Sequence, residues 1–457
     1  MKFKWLKKSP SKSAVAFFGG FACDERLLSA CQLPGIDVCI LYDYRSFDMP
    51  VDFSGYENVY VVGWSFGVKV ADALCAGMKN VKLRTALCGT ATPIDDKCGI
   101  PAKIFDLTLR SFDGRACEKF LQRVCGAEAE NVVLMCRRSA VELKNELTSL
   151  ADFCAKNPRQ LSKWDYAFAC QDDKIFSPAA LSSAFENVCL WIGAHLNPRL
   201  FSYALSIPQT GGRFAGAFKK AASDYAKHSV VQKNVALFLR EKLSCEFPNR
   251  RFKCAFEFGC GTGFLSAQIK KYMACESFVL NDLSLEMCQG AAASLGGRYN
   301  AGPISEIALD FSPDIILSAS CLQWLDDKPA VFKKLYKAAS PGAVLAVGSF
   351  GPENFAEFSK FGHSPISYDT FDEFCAQISG AGFKVVFSQN DVFRFLFKTP
   401  RDVLRHVRDT GVNGASAEFW TPQRLRTFEK AYVRMYSDCG GVRLTYNPMC
   451  AIAIKEK

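Results

Sequence analysis

The chain has 457 residues and a formal net charge of +10, and 49% of its residues are hydrophobic. This length predicts two or more domains with separate cores. Its apolar runs are shorter than the roughly 18 residues that a membrane-spanning helix needs, so we expect no such helix. No cleavable apolar segment follows the basic N-terminus, which leads us to expect a cytoplasmic protein.

The cysteines and the positive charge exclude two further classes of protein. The 21 cysteines are scattered without a C-x-x-C pair, and only four histidines accompany them. This pattern argues against a metal site and against a disulfide framework, so we expect no bound metal. The basic residues form no block, which argues against nucleic-acid binding but is compatible with an acidic protein partner.

Residues 1–207 alternate strand-like and helical segments and predict an α/β domain. The strand signals are Ala14 to Phe18, Val59 to Val62, Leu83 to Cys88, Ala167 to Cys170 and Cys189 to Ile192. From about residue 92 to 164 the pattern is helical and polar, without a clear strand. Such an insertion is typical of a helical cap above a site at the end of a sheet.

A G-x-S-x-G motif follows the second of these strands. Gly63 to Gly67 carries Ser65 at its centre, and residues after it have helical spacing. Strand, tight turn and helix form the context of a nucleophile elbow, in which glycines flank a strained serine. A bare motif of this kind is common, and an ordinary turn that contains serine is the alternative interpretation.

An acid and a base follow later strands in the order that α/β-hydrolases use. Asp173 comes after the fourth strand signal and His195 after the fifth, so Ser65, Asp173 and His195 can meet at one sheet edge. His195 would take the serine proton, and the carboxylate would hold the imidazole in the useful tautomer. Asp172 is the competing acid. A lone histidine is usually structural, but His195 is the only histidine in this half.

Two backbone amides are candidates for an oxyanion hole. The strand at Ala14 to Phe18 runs into Gly19 and Gly20, and the loop after an early strand donates one N–H in α/β-hydrolases. We predict the N–H of Phe21 for this role and the N–H of Phe66 as the second donor. A simple glycine turn is the alternative.

These motifs together resemble a known esterase family. Phe17 to Phe21, Gly63 to Gly67, Asp173 to Phe176 and Gly193 to His195 resemble the compact pimeloyl-ACP methyl ester esterases of biotin synthesis, the BioG family. The resemblance covers most of residues 13–205 and implies an α/β-hydrolase fold with carboxylic ester hydrolase activity. Residues 20–22 read Gly-Phe-Ala where the family more often has Gly-Trp-Gly, which bears on the assignment of Phe21.

A break rich in proline, threonine and glycine, Ser206 to Arg213, predicts the domain boundary, so that a second domain covers residues 208–457. After it, Phe214 to Leu243 has helical spacing. Later strand signals are Ser277 to Leu280, Pro313 to Ser318, Ala343 to Val347, Phe383 to Phe387, Val392 to Phe397 and Thr445 to Lys455, which we expect in one sheet.

A glycine-rich turn joins a strand to a helix in this second domain. Glu257 precedes Gly259, Gly261 and Gly263, and the pattern resembles motif I of the class I methyltransferases that use S-adenosylmethionine. The resemblance implies a Rossmann-like fold in which the glycines let the backbone lie against the cofactor. A dinucleotide site is the alternative, since its loop obeys the same physics.

Acidic and polar residues after the next strands complete this candidate site. Asp282, followed by Leu283, is placed to bind the ribose hydroxyls. Gln323 and Trp324 follow the later strand at Pro313 to Ser318, where class I methyltransferases place contacts to substrate and methyl donor.

The second half is similar along essentially its whole length to the malonyl-ACP O-methyltransferases, the BioC family. The residues that carry the similarity include Phe218 to Tyr225, Gly259 to Gly263, Cys321 to Leu325, Gly411 to Asn413 and Leu444 to Tyr446. It implies S-adenosylmethionine as cofactor, with Tyr225, Gln323 and Trp324 lining the site. One departure is Gly302 to Glu306, where Pro303 replaces the aspartate that the family places near the adenine.

The combined resemblance implies a bifunctional enzyme of biotin-precursor synthesis. Its second domain would methylate malonyl-ACP, and its first would hydrolyse the methyl ester of pimeloyl-ACP; acyl carrier protein is therefore the expected partner. Two alternatives remain from the residues alone. One is a generic esterase or thioesterase fused to a methyltransferase for another small acid, and the other has one half degenerate and acting only as a carrier-protein-binding module.

Overall fold

The computed structural model describes residues 1–31, 33, 35–127, 134–135, 137–158, 160–208, 230–359, 361, 367–409, 421–438 and 440–456. The chain forms two compact units. The first contains residues 1–213 and 306–308, and the second contains residues 214–305 and 309–457. Among the described residues, no helix is long and apolar enough to cross a membrane.

A seven-stranded sheet with the order β1-β3-β2-β4-β5-β6-β7 organises the first unit. Its strands are β1 (Lys2–Lys7), β2 (Ser13–Phe18), β3 (Asp37–Tyr42), β4 (Asn58–Trp64), β5 (Val81–Leu87), β6 (Tyr166–Cys170) and β7 (Cys189–Trp191). Its helices are α1 (Gly67–Leu74), α2 (Ala102–Arg110), α3 (Gly114–Cys125), α4 (Ala140–Lys156), α5 (Pro178–Ala184) and α6 (198–208). Only β1 is antiparallel to its neighbour.

The central strands of this sheet are buried almost throughout, as expected for a parallel sheet covered on both faces. Strands β1 and β3 are not predicted from the sequence. Strand β1 lies at the edge, where Lys2 and Lys4 are exposed and Lys7 is partly buried. It closes the sheet by pairing with β3 across a sequence distance of more than 30 residues, which local patterns do not reveal.

The expected helical insertion lies between β5 and β6 and consists of α2, α3 and α4. Helix α4 begins with a capping box in which Ser139 and Glu142 satisfy each other's backbone N–H groups. Its buried positions include Leu143, Glu146, Leu147 and Leu150. This spacing places one charged side chain, Glu146, on the buried face of the cap helix.

The second unit contains a seven-stranded mixed sheet with the order β10-β9-β8-β11-β12-β17-β13 and a three-stranded sheet with the order β14-β16-β15. Its strands are β8 (Arg251–Phe258), β9 (Ala274–Asn281), β10 (Arg298–Tyr299), β11 (Ile315–Ala319), β12 (Val344–Phe350), β13 (Lys384–Asn390), β14 (Phe393–Phe397), β15 (Ser437–Asp438), β16 (Gly441–Tyr446) and β17 (Pro448–Ile454). Its helices are α7 (Val230–Glu246), α8 (Phe264–Tyr272), α9 (Leu285–Leu295), α10 (Lys328–Ala338), α11 (Ala356–Ser359), α12 (Phe371–Gly380), α13 (Pro400–Asp409) and α14 (Pro422–Tyr436).

The prediction of one sheet for all late strands is wrong. The segment Val392 to Phe397 forms β14 in the small sheet, and Thr445 to Lys455 divides between β16 and β17. Asn447 lies between β16 and β17, and its side-chain amide donates to Asn390 Oδ1 (2.7 Å) and to Asp391 O (2.8 Å). The two chain segments are thus tied at the point where both leave the main sheet.

Every cysteine in the described part of the chain is a free thiol, and only Cys245 among them is exposed. The others lie in the cores or partly buried positions, where cysteine acts as a small apolar residue.

Candidate active sites

Ser65 occupies a strained turn between β4 and α1. Its φ angle is +58°, a left-handed conformation that a side chain disfavours. The turn packs so closely that a Cβ on Gly63 would lie 2.7 Å from Val68 Cα, and a Cβ on Gly67 would lie 2.1 Å from Phe18 O. Both glycines of the motif are therefore required by packing, as a nucleophile elbow demands.

Asp173 and His195 form a buried pair at the carboxyl ends of β6 and β7. His195 Nδ1 lies 2.7 Å from Asp173 Oδ2, and the other carboxylate oxygen accepts the N–H groups of Ile175 (2.7 Å) and Phe176 (2.8 Å). The competing acid Asp172 is exposed, and its N–H donates to Gly193 O at 2.9 Å. The geometry therefore favours Asp173 as the partner of the imidazole.

The imidazole of His195 lies near two aromatic rings, those of Trp64 and Phe176. Trp64 donates its indole N–H to His195 O at 3.0 Å, and the ring of Phe176 stacks on the imidazole with a centroid distance of 5.9 Å. No hydrogen bond joins the Ser65 hydroxyl to the imidazole in the described part of the chain. Such contacts are often long in ligand-free enzymes and shorten when substrate binds.

The loop after β2 lies directly against the serine. A Cβ on Gly20 would lie 2.8 Å from Ser65 Cβ, so only glycine fits there. The N–H groups of Phe21 and Phe66 have no hydrogen-bond partner among the described residues. Both predicted oxyanion donors are thus free to bind a ligand.

One residue next to this pair was not predicted from the sequence. Side-chain ligand atoms of Cys88, Asp173 and His195 lie within 4.8 Å of one another. A hydrogen bond with Cys170, together with burial, raises the pKa of the Cys88 thiol well above its usual value. A neutral buried thiol therefore borders the pair, and its position directly after β5 was the signal that could have revealed it.

The glycine loop of the second unit joins β8 to α8 through three left-handed residues. Gly259, Gly261 and Gly263 have φ angles of +62°, +51° and +73°. A Cβ on Gly259 would lie 2.3 Å from Cys321 Sγ, whereas one on Gly261 would meet nothing within 4 Å. The loop is therefore packed at its start and open at Gly261, where a ligand can approach the backbone.

Two acids adjoin this loop. Asp282 accepts the N–H of Gly261 (2.8 Å) and the N–H of Ser284 (2.9 Å), while Glu257 accepts the N–H of Ser266 (3.0 Å). Burial raises the pKa of Glu257 to about 8, although Ser266 lowers it, and burial also raises the pKa of Asp282. Both acids would ionise more readily beside a cationic ligand.

The segment after β11 adds unsatisfied polar groups at the same edge of the sheet. Gln323 donates to Ser320 O at 2.7 Å, but Gln323 Oε1 and Ser320 Oγ are buried without a hydrogen-bond partner among the described residues. Trp324 and Leu283 are exposed, at 45% and 63%. The predicted lining residue Tyr225 lies outside the described residues.

These features fit S-adenosylmethionine in three respects. The loop is open at Gly261, where the ligand can approach the backbone. The buried acids suit the positive charge of S-adenosylmethionine. The side-chain oxygen atoms of Ser320 and Gln323 that have no partner among the described residues can accept hydrogen bonds from it. Pro303 offers no side-chain acceptor for the adenine, so other groups must bind that ring.

Comparison with known proteins gives the class of each unit. Residues 1–204 match the family model described as pimeloyl-ACP methyl esterase BioG, and residues 256–345 match a methyltransferase-domain model. A crystal structure of BioG from Haemophilus influenzae is 32% identical and covers 44% of this chain and 97% of that chain, with a TM-score of 0.42. The second unit has the α/β fold of a class I methyltransferase.

Two relatives identify the family. The malonyl-[acyl-carrier protein] O-methyltransferase of Bacteroides fragilis (strain 638R) is 32% identical over 459 residues, which cover 97% of this chain and 93% of that protein. The same-named protein of Bacteroides helcogenes is 32% identical over 267 residues, 52% of this chain. The chain belongs to the malonyl-[acyl-carrier protein] O-methyltransferase family and carries a BioG domain at its N-terminus.

Proposed function

We propose that the chain is a bifunctional enzyme that both makes and removes a methyl ester on an acyl carrier protein. Its C-terminal domain, residues 208–457, methylates the free carboxyl group of malonyl-ACP with S-adenosylmethionine. Its N-terminal domain, residues 1–207, is an α/β-hydrolase that hydrolyses the methyl ester of pimeloyl-ACP. The 32% identity over 97% of the chain to a malonyl-ACP methyltransferase carries the first activity, and the buried His195–Asp173 pair beside a strained serine supports the second.

The residues of the glycine loop bind the methyl donor. The Asp282 carboxylate would accept hydrogen bonds from the ribose hydroxyls, the backbone at Gly261 would lie against the ligand, and Leu283 would contact it. Glu257 provides negative charge for the protonated amino group of the methionine part. When bound, S-adenosylmethionine supplies an electrophilic methyl group.

Methyl transfer to a carboxylate needs orientation rather than a base. A malonyl carboxylate is ionised at neutral pH, so no side chain has to remove a proton. Gln323 and Trp324, which follow β11, would line the position of the acceptor, and a restrained acceptor reacts faster because its orientation is already fixed. The ester product no longer carries the charge that an apolar chain-elongation site would have to desolvate.

Ester hydrolysis in the first domain would use the residues around the elbow. Ser65 Oγ attacks the ester carbonyl while His195 Nε2 takes its proton, and the Nδ1–H remains bound to Asp173. The N–H groups of Phe21 and Phe66 stabilise the oxyanion. Methanol leaves with the proton from His195, and water then hydrolyses the acyl-enzyme by the same route.

Mass spectrometry of carrier-protein substrates tests both halves. Malonyl-ACP incubated with the protein and S-adenosylmethionine should gain the mass of one methyl group. Pimeloyl-ACP methyl ester should lose one, and Ser65→Ala should abolish only this second change. Intact cofactor binding without methylation of malonyl-ACP would mean that the second domain acts on another acid. Hydrolysis by Ser65→Ala at the wild-type rate would contradict the serine mechanism.

A further inference from the structure

The loop at residues 19–23 carries Phe21, and its first two carbonyl groups both accept side-chain hydrogen bonds. Tyr44 donates its hydroxyl to Gly19 O at 2.7 Å, and Cys23 donates its thiol to Gly20 O at 3.1 Å. The C=O of Gly20 and the N–H of Phe21 belong to one planar trans peptide and point in opposite directions. Fixing Gly20 O therefore also fixes the direction of the Phe21 N–H.

The second half of this loop is held by one carboxylate of the cap. Glu146 on α4 is fully buried; its Oε2 accepts the N–H of Ala22 at 3.2 Å and its Oε1 accepts the N–H of Tyr44 at 2.9 Å. Ala22 has a φ angle of +62°, a conformation that needs support from its surroundings. Glu146 supplies that support from 124 residues away in sequence.

An arginine completes the connection between loop and cap. Arg138 donates to Glu146 Oε2 at 2.7 Å and to Cys23 O at 3.4 Å, and its ion pair with Asp43 spans 2.9 Å. Burial opposes ionisation of Asp43, but hydrogen bonds and charge from Arg45 and Arg138 lower the pKa of this carboxyl to about 2. The buried acids therefore have compensating positive charge.

We propose that Glu146 is a positioning residue of the esterase: it holds the loop at residues 19–23 so that the N–H of Phe21 points at the oxyanion. The inference rests on the proposed function of Ser65 and Phe21. Glu146 itself contacts no reacting atom. Because Glu146 lies on the cap helix α4, the cap and the oxyanion hole form together, and a displaced cap leaves the hole incomplete.

A steady-state experiment with a transition-state mimic tests this role. A trifluoromethyl ketone analogue of methyl pimelate bonds its carbonyl carbon to Ser65 Oγ, the serine proton passes to His195, and the resulting oxyanion occupies the hole. Its affinity reports on the alignment of Phe21, whereas KM for the ester reports mainly on ground-state binding. The variants are Glu146→Ala and the isosteric Glu146→Gln, which keeps one oxygen acceptor and decides the result if the alanine variant does not fold.

A matched control distinguishes the loss of loop positioning from the general effect of removing a buried acid. Asp72 is also fully buried and accepts two backbone N–H groups, those of Leu161 (2.7 Å) and Ser162 (2.9 Å), but it accepts no hydrogen bond from the described loop at residues 19–23. We expect both Glu146 variants to lower kcat and analogue affinity by about tenfold to hundredfold. KM should change little, and Asp72→Asn should not reproduce the pattern.

Two results would overturn the inference. One is a Glu146→Gln protein whose analogue affinity equals that of the wild type, and the other is an equal loss in Asp72→Asn. Full esterase activity in Ser65→Ala would refute the serine mechanism itself, and the inference with it. Hydrogen exchange within β2 and β4 of the same preparations checks that the first domain remains folded.

Discussion

Gly261 donates its backbone N–H to Asp282 Oδ2 at 2.8 Å, which joins the glycine loop after β8 to the acid after β9. The bond keeps the carboxylate at the open part of the loop, where a Cβ on Gly261 would meet nothing within 4 Å. One side chain therefore both shapes the loop and presents an acceptor to a ligand.

Replacing Asp282 should weaken binding of S-adenosylmethionine. Asp282→Asn removes the charge and one acceptor that the ribose would use, and the loss of a hydrogen bond to a charged group corresponds to about 1.5–3 kcal/mol, or roughly tenfold to hundredfold in Kd. Isothermal titration calorimetry measures the change. Glu276→Gln, which removes an exposed acid of β9, is the control and should bind like the wild type. Equal affinities of all three proteins for S-adenosylmethionine would show that Asp282 does not bind the cofactor.

Substitutions at the neighbouring residues Asp172 and Asp173 test which of the two acids is the partner of His195. Asp173→Asn should lower kcat for pimeloyl-ACP methyl ester by about four orders of magnitude, because the imidazole loses the partner that fixes its tautomer. Asp172→Asn should have little effect, since that side chain is exposed and not bonded to His195. Both rates can be followed by release of methanol. A larger loss in Asp172→Asn than in Asp173→Asn would reverse the assignment.

The two candidate sites could be predicted from local sequence motifs, because each site contains a short turn with strict backbone requirements. The elbow needs glycine at residues 63 and 67, and the cofactor loop needs left-handed φ angles at three glycines. Such constraints are visible in a few consecutive letters of sequence. The parallel strands that end at these turns could be predicted for the same reason.

The missed features depend on contacts between distant parts of the chain. Glu146 meets Ala22 across 124 residues, and an acid inside an amphipathic helix gives no sign of its partner. The small sheet of β14, β15 and β16 likewise depends on pairing between strands that are distant in sequence, since β14 pairs with β16. Alternation of apolar residues predicts a strand but not the sheet in which it pairs.

Glu257 should make the stability of the second domain depend on pH in the absence of ligand. Burial raises its pKa from 4.5 to about 8, so the folded protein retains a proton that the unfolded chain loses above about pH 4.5. The folded state therefore binds more protons between these values, and stability falls as pH rises through this window, at up to about 1.4 kcal/mol per pH unit. Glu257→Gln cannot ionise and should lose this slope.

Urea unfolding, followed by hydrogen exchange within β8 and α8, measures this effect. Between about pH 5 and pH 8 the wild type should lose stability relative to Glu257→Gln. Glu276→Gln, which removes an exposed acid, should retain the wild-type slope. Parallel pH profiles for wild type and Glu257→Gln would show that the buried carboxyl does not titrate in this range.

A methyl group at Gly67 should disrupt the elbow. A Cβ there would lie 2.1 Å from Phe18 O and 2.4 Å from Gly19 O, and these backbone atoms cannot move without shifting β2 and the loop after it. We expect Gly67→Ala to destabilise the first domain by about 1–3 kcal/mol and to reduce hydrolysis of the pimeloyl ester.

Gly77→Ala is the matched control, since nothing lies within 4 Å of its added Cβ. Urea unfolding and methanol release measure the two effects, and a Gly67→Ala protein as stable and as active as Gly77→Ala would show that this close packing is not required.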